Sequence, residues 1–310
     1  MQLKNLFRAS SNIFHINDLK RRIEQLETLK IRIERLELNV HSLNLQSQEV
    51  HPLLATQIPA MEQSIDPYQA ELRNQLLQRI LPTVDPHIHL NRYGRSKDGG
   101  YFLASPINKD DLLISAGLSD DISFEEQLAP KIKFIVGLDH TIARLSTSVP
   151  NFEHVQHGLK AEASSGHSTL TSLLAEYPAR DYLLKIDIEG DEWKVLDATN
   201  AEDLQKFRQI VVEFHGFAQA ISYTESTRML RVLDKLNTNH SVAVLHPNNN
   251  GIFHYFGTYQ VPDVIEVTYL RNGETYEVQE NSIEIAEGLL EQNSQIRRPI
   301  SLDWITSIQK

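Results

Sequence analysis

The sequence predicts an α/β fold built on a doubly wound, mostly parallel sheet. Three observations carry that reading. From Leu112 onward, short apolar runs alternate with amphipathic helical stretches, the pattern of βαβ units. Most runs are apolar at successive positions rather than at every second one, as strands covered on both faces require. Each run also ends on a segment rich in polar residues or glycine, and open α/β sheets bind ligands beyond the carboxyl ends of their strands.

The elements follow in order. Leu112–Ala116 is the first strand of the sheet and is followed by a helix near Phe124–Leu128. Phe134–Leu138 and Phe152–Gln156 are the second and third strands. A helix at Leu170–Tyr177 leads into the fourth strand, Tyr182–Ile188, and Ile210–Phe214 is the fifth. A helix at Thr224–Leu236 precedes the sixth, Val242–Leu245, and Val264–Tyr269 alternates with period two as a half-exposed strand does. Upstream, Tyr68–Ile80 reads as a helix closed by Pro82.

The amino-terminal part follows a different period. Leu19, Arg22, Leu26, Leu29, Ile33, Leu36, Val40 and Leu43 fall on heptad a and d positions, and only Arg22 interrupts the apolar seam. So narrow a stripe has to be buried, either as a surface helix folded back on its own domain or against a second copy; the expected outcome is self-association through an N-terminal coiled-coil helix, with an oligomer as the product. The expected domains are therefore the coiled coil at 1–47, a linker and helical segment at 48–92, and a catalytic domain at 93–310.

Composition narrows the function. Thirty basic against 41 acidic side chains give a net charge of −11, and such a surface repels phosphate backbones, so no nucleic-acid partner is expected. The absence of cysteine excludes disulfides, thiolate metal sites and a cysteine nucleophile. No stretch approaches the roughly 20 apolar residues that span a bilayer, and Met1–Asn12 has no signal-peptide core. The expected location is cytoplasmic.

Candidate site residues cluster at the strand ends. After the first strand comes Ser115-Ala116-Gly117-Leu118-Ser119-Asp120-Asp121, where Gly117 would let the backbone approach a ligand. Asp139, about 20 residues beyond Gly117, stands where a carboxylate accepts from both ribose hydroxyls of a nucleoside cofactor. After the fourth strand lies Asp187-Ile188-Glu189-Gly190, and Glu213-Phe214-His215 ends the fifth. By the period of two, Asp187 and Glu189 share one face, as do Glu213 and His215. Polar groups converging on a crevice are costly unless they bind something. His246 and the amides of Asn248–Asn250 follow the sixth strand, placed to donate to substrate hydroxyls.

At these residues the chain resembles the FkbM family of S-adenosylmethionine (SAM)-dependent methyltransferases. The resemblance rests on Leu183-Leu184-Lys185-Ile186-Asp187-Ile188-Glu189-Gly190-Asp191-Glu192 and on Val211-Val212-Glu213-Phe214-His215. Lys97–Tyr101, Gly137–Thr141, His246–Asn250 and Val261–Glu266 resemble a subgroup of FkbM-like proteins. It implies a Rossmann-like class I methyltransferase fold with a seven-stranded, mostly parallel sheet, and methyl transfer to an oxygen of a sugar, glycan or related metabolite. It also implies a cofactor-binding set of Asp98, Gly99, Gly117, Asp120, Asp139, His140 and Asp187. The first glycine motif is reduced to Ser115-Ala116-Gly117, so Asp120 or Asp98 would stand in for its missing acid.

Methyl transfer to an alcohol calls for a base near the methyl group. His215 is the first candidate, held by Glu213 or Glu189, and His246 the second. Asp187, Glu213 and His215 could instead hold a divalent cation such as Mg²⁺, which would acidify the acceptor hydroxyl. Two rival readings stand beside the methyltransferase. Gly117 and Asp139 also fit a nicotinamide-dependent oxidoreductase, and the coiled coil fits a non-catalytic assembly protein carrying a vestigial α/β domain.

Overall fold

The centre of the protein is a seven-stranded sheet. The chain is represented by a computed structural model that describes residues 67–119, 121–145, 147–256, 259–278 and 293–294. The coiled coil expected at 1–47 lies outside the described residues. In chain order the described elements begin with helix α1 (Pro67–Arg79) and the antiparallel pair β1 (Leu90–Gly94) and β2 (Gly100–Ala104). They continue with β3 (Leu112–Ala116), α2 (Ser123–Leu128), β4 (Phe134–Leu138), β5 (Phe152–Val155) and the short parallel pair β6 (Gly158–Leu159) and β7 (His167–Ser168). After these come α3 (Leu170–Glu176), β8 (Tyr182–Ile186), α4 (Glu192–Ala198), α5 (Ala201–Leu204), β9 (Phe207–Phe214), α6 (Tyr223–Asn239), β10 (His240–Phe256) and β11 (Tyr259–Arg271).

The strand order is β10-β11-β9-β8-β3-β4-β5. The pairs β3–β4, β4–β5, β3–β8 and β8–β9 are parallel, whereas β11 runs antiparallel to both β9 and β10. The chain winds outward from β3 to β5, then returns to place β8 on the other side of β3. That reversal is the switch point, where adjacent loops leave the sheet in opposite directions and open a crevice. Up to β9 the winding follows the dinucleotide-binding order; the antiparallel β11 inserted between β9 and β10 departs from it.

Burial explains the central strands. Every residue of β3, β8 and β9 is buried. On α6, Met229, Val232, Leu233 and Leu236 form one apolar stripe, and they share a core cluster with Leu72, Leu76 and Leu77 of α1.

Two parts of the fold differ from the sequence expectation. The segment Leu90–Ala104 forms the β1–β2 hairpin, which lies over β9 and β11. Gln209 of β9 clamps the Ala104 backbone, accepting from its N–H and donating to its carbonyl, both at 2.8 Å. Thr268 Oγ1 donates to the Phe102 carbonyl at 2.8 Å. Because the hairpin covers that face, Glu266 and Thr268, the polar residues that alternate along Val264–Tyr269, are buried, and that stretch is not half-exposed. Second, β10 does not end at Leu245 but runs on through the His-Pro-Asn-Asn-Asn segment. Pairing with β11 holds it there, with a register break between Asn248 and Phe253.

Candidate active site

Three loops ring a cleft at the switch point. Its lining includes Asp98 and Gly99 after β1, Gly117 and Ser119 after β3, Asp187 and Glu189 after β8, and Glu213 at the end of β9. All three loops are conformationally strained. Lys97, Ser119 and Glu189 are the non-glycine residues with positive φ (71°, 52° and 58°) among the described residues, and each lies in one of them. Left-handed backbone costs a non-glycine residue energy and collects where a binding surface needs it.

Gly117 is required by its neighbour. With φ +83°, a Cβ there would lie 1.5 Å from the Asp187 carbonyl oxygen, so the glycine lets the β8 loop close against the β3 loop. Asp139 secures the same loop from below. One carboxylate oxygen accepts from the Leu118 and Ser119 amides (3.2 and 2.9 Å), the other from Thr141 N–H and Oγ1–H (2.8 and 2.6 Å). Burial opposes ionisation of Asp139, but these bonds outweigh it and hold the carboxyl below its ordinary range. His140 packs against His167 with ring centroids 6.1 Å apart.

The opposite wall is a buried acid cluster. Tyr101, brought in by β2, donates from its hydroxyl to Asp187 Oδ2 at 2.8 Å and lies 3.2 Å from Glu213 Oε2. Burial, then the charges of Asp187 and Glu213, push this phenol well above its usual range, so it keeps its proton. Asn248 Nδ2 donates to Glu213 Oε1 at 2.9 Å. Burial pushes Glu213 well above the normal carboxylate range, with further upward pressure from Asp187 and Glu266 and opposition from His215. Lys185 is buried beneath the cleft, donating to the Gly117 carbonyl and standing 3.5 Å from Asp187. Its charge opposes the burial that raises Glu125, which in turn accepts from Ser115 Oγ.

His215 sits among carboxylates. Nδ1 is 3.1 Å from Glu192 Oε1, and Nε2 is 3.4 Å from Glu189 Oε2 and 3.8 Å from Glu213 Oε1. Burial works against charge on the ring, but the Glu192 bond and the charges of Glu192, Glu213 and Asp187 prevail and raise it to about 9. At neutral pH His215 is therefore an imidazolium. The carboxylate nearest the ring is Glu192, whose Oε1 also accepts from the Ile188 and Gly190 amides (2.9 and 3.1 Å).

The structure thus gathers Asp98, Gly99, Gly117, Asp187, Glu189 and Glu213 around one cleft, with His215 against its acidic wall. Asp139 stands behind the Gly117–Ser119 loop, with His140 beyond it. His246 is buried in β10 against Asn293, at 3.0 Å, rather than ending a strand. Asp120 lies outside the described residues. Asp187, Glu213 and His215 each offer a ligand atom within 4.8 Å of the others, the geometry of a candidate cation site. The period of two does not extend to Glu189, because β8 ends at Ile186 and the left-handed turn redirects the side chain.

With this geometry in place, the sequence profile of the methyltransferase FkbM domain matches residues 23–239. The chain belongs to the FkbM methyltransferase family. No curated protein matches it. Among solved structures it is similar to a Streptococcus mutans protein described as a methyltransferase and crystallised with S-adenosylhomocysteine (SAH). Identity there is 13%, with 65% of this chain and 95% of that one covered and a TM-score of 0.30. An rRNA methylase of Streptococcus thermophilus (10% identity, 53% and 89% covered, TM-score 0.32) and the N-methyltransferase NodS of Bradyrhizobium japonicum (12%, 67% and 98%, 0.27) are also similar. No helix among the described residues is long and apolar enough to cross a membrane.

Four residues at or around this cleft were not singled out from the sequence as site residues. Lys185 left a signal there, a charge inside an otherwise apolar central strand. Glu192 left a weaker one, two residues beyond Gly190. Glu266 was marked only as the end of the Val261–Glu266 stretch, and Asn293 left no signal, since a remote segment brings it to the cleft.

Proposed function

We propose that the protein is a SAM-dependent O-methyltransferase acting on a hydroxyl of a sugar, glycan or related metabolite. The observation that carries the reading is the convergence of Tyr101, Asp187, Glu213 and Asn248 on the cleft bounded by the Gly117–Ser119 loop. The cofactor is assigned to the other side of the cleft, with Asp139 behind the Gly117–Ser119 loop. Asp139 is held ionised, as an acceptor of ribose hydroxyls must be, and a diol would compete with Thr141 for it. Gly117, Asp98 and Gly99 line the adjoining space for the methionyl end, with Asp187 facing the methyl group and Asp120 completing the set expected from the sequence.

SAM, when bound, supplies an electrophilic methyl group. The protein has to orient the acceptor hydroxyl and remove its proton. A cationic His215 cannot take that proton, so the base assigned here is Glu213, whose raised affinity for protons suits it better than an ordinary carboxylate. His215 offsets the charge of Glu213 and Glu189, and Tyr101 fixes the orientation of Glu213 and Asp187. His246 is a supporting residue of the same wall.

The clustered ligand atoms of Asp187, Glu213 and neutral His215 favour one variant, in which these three residues would hold a divalent cation such as Mg²⁺ whose charge would acidify the acceptor hydroxyl. Loss of transfer on chelation, restored by Mg²⁺, would select it; indifference to chelator would remove it.

Calorimetric titration with SAH and with NAD tests the main reading. SAH binding without NAD binding is expected, and the reverse would support an oxidoreductase. Binding of neither would favour an assembly protein, for which the coiled coil proposed at 1–47 would be the working part. The cytoplasmic location and the oligomer belong to the same proposal, and the mass in solution after deletion of residues 1–47 tests the latter.

A further inference from the structure

The edge of the acid cluster contains a residue from far along the chain. Glu213 of β9, Glu266 of β11 and His246 of β10 are direct register partners, forming one row across three strands. Two carboxylates placed opposite each other repel, and burial makes the repulsion worse. Asn293 is 5% exposed and sits at the end of this row. Its Nδ2 donates to Glu266 Oε1 at 2.6 Å and lies 3.4 Å from Asp98 Oδ1, while its Oδ1 is 3.0 Å from His246 Nε2. The neighbouring Ser294 is gripped by the Asn249 side chain, which donates to its carbonyl at 2.8 Å and accepts from its N–H at 2.7 Å.

The chemistry fixes the direction of each bond. Two carboxyl groups face the amide nitrogen of Asn293, so its oxygen must be the end turned to His246. A carboxamide oxygen only accepts, so the proton lies on His246 Nε2. We propose that Asn293 is a positioning residue of the acceptor wall, holding His246 with its proton on Nε2 and bridging Glu266 to Asp98. The site is then completed by Asn293 and Ser294, which lie against β10. The acceptor-wall role rests on the function proposed above.

The Nε2–H proton gives the test. In full-length ¹⁵N-histidine-labelled protein at pH 8.5 it should appear as a slowly exchanging resonance, identified by its absence in His246→Gln. Asn293→Ala should speed its exchange at least about tenfold. Asn293→Asp keeps an acceptor for the Nε2–H; because it also sets an oxygen against Glu266 and Asp98, that cluster must take up a proton, and the resonance should persist. If Asn293→Ala fails to fold, Asn249→Ala, which releases Ser294, should reproduce the faster exchange. An Nε2–H resonance missing from the wild type, or exchanging no faster in the alanine variants, would overturn the assignment. Titrating the same wild-type sample with SAH keeps the two ideas apart: failure to bind would remove the methyltransferase reading while leaving the Asn293–His246 result to stand or fall alone.

Discussion

Replacing His215 with Gln should remove a pH-dependent share of the protein's stability. The ring is raised from 6.5 to about 9 in the folded state, and its side chain is only 17% exposed. At 1.36 kcal/mol per unit this corresponds to about 3 kcal/mol. A raised folded pKa stabilises fully below the unfolded value and stops doing so as pH rises through the folded one. The contribution is therefore complete at pH 6 and gone by about pH 9.5. In the variant, neighbouring carboxylates can take up protons instead, which reduces the span to roughly 2–3 kcal/mol. Urea unfolding followed by circular dichroism at pH 6, 7.5 and 9.5 measures it. The gap between wild type and His215→Gln should be widest at pH 6 and close as pH rises. A gap of constant size would show that the folded ring is not charged, and His215 would again be available as the base.

Four further outcomes follow from the same geometry. Gly117→Ala would place a Cβ against the Asp187 carbonyl at positive φ, so it should lose more than about 2 kcal/mol in thermal unfolding and abolish SAH binding. Lys185→Met removes the buried cation beside Glu125 and Asp187 and should cost about 3 kcal/mol. Adding Glu125→Gln should recover part of that loss, whereas simple additivity in urea unfolding would show that the two do not interact. Glu266 is raised to about 8, chiefly by burial, so the stability its protonated form provides drains away as pH rises from about 4.5 through 8. Glu266→Gln should therefore gain on the wild type across that window, and a gap independent of pH would contradict it. Glu213→Gln should lower transfer by at least about 100-fold with SAH affinity intact, measured once an acceptor supports turnover.

Local pattern was enough to read most of the sheet. Continuous apolar runs marked β3, β4, β8 and β9 because strands covered on both faces have no solvent side to fill with polar residues. The loops were legible for a related reason, since a buried strand that ends on Asp187 or Glu213 has to bring that charge to a crevice. The β1–β2 hairpin escaped because Leu90–Ala104 is short, glycine-punctuated and partly polar, and its burial comes from docking on Gln209 and Thr268 rather than from its own composition.

The sequence by itself determined that this chain folds as a doubly wound α/β protein with acids at its switch point, because side-chain periodicity and strand-end chemistry are local properties. Only the tertiary structure decided what those acids do to one another. Strand register sets Glu213 opposite Glu266, the β1–β2 hairpin lowers Tyr101 onto Asp187, and the β8 loop surrounds His215 with carboxylates. The same residues in water would titrate near their ordinary values. Burial and a few ångströms of separation make one a retained acid, one a fixed cation and one the candidate base, and no reading of spacing along the chain contains those distances.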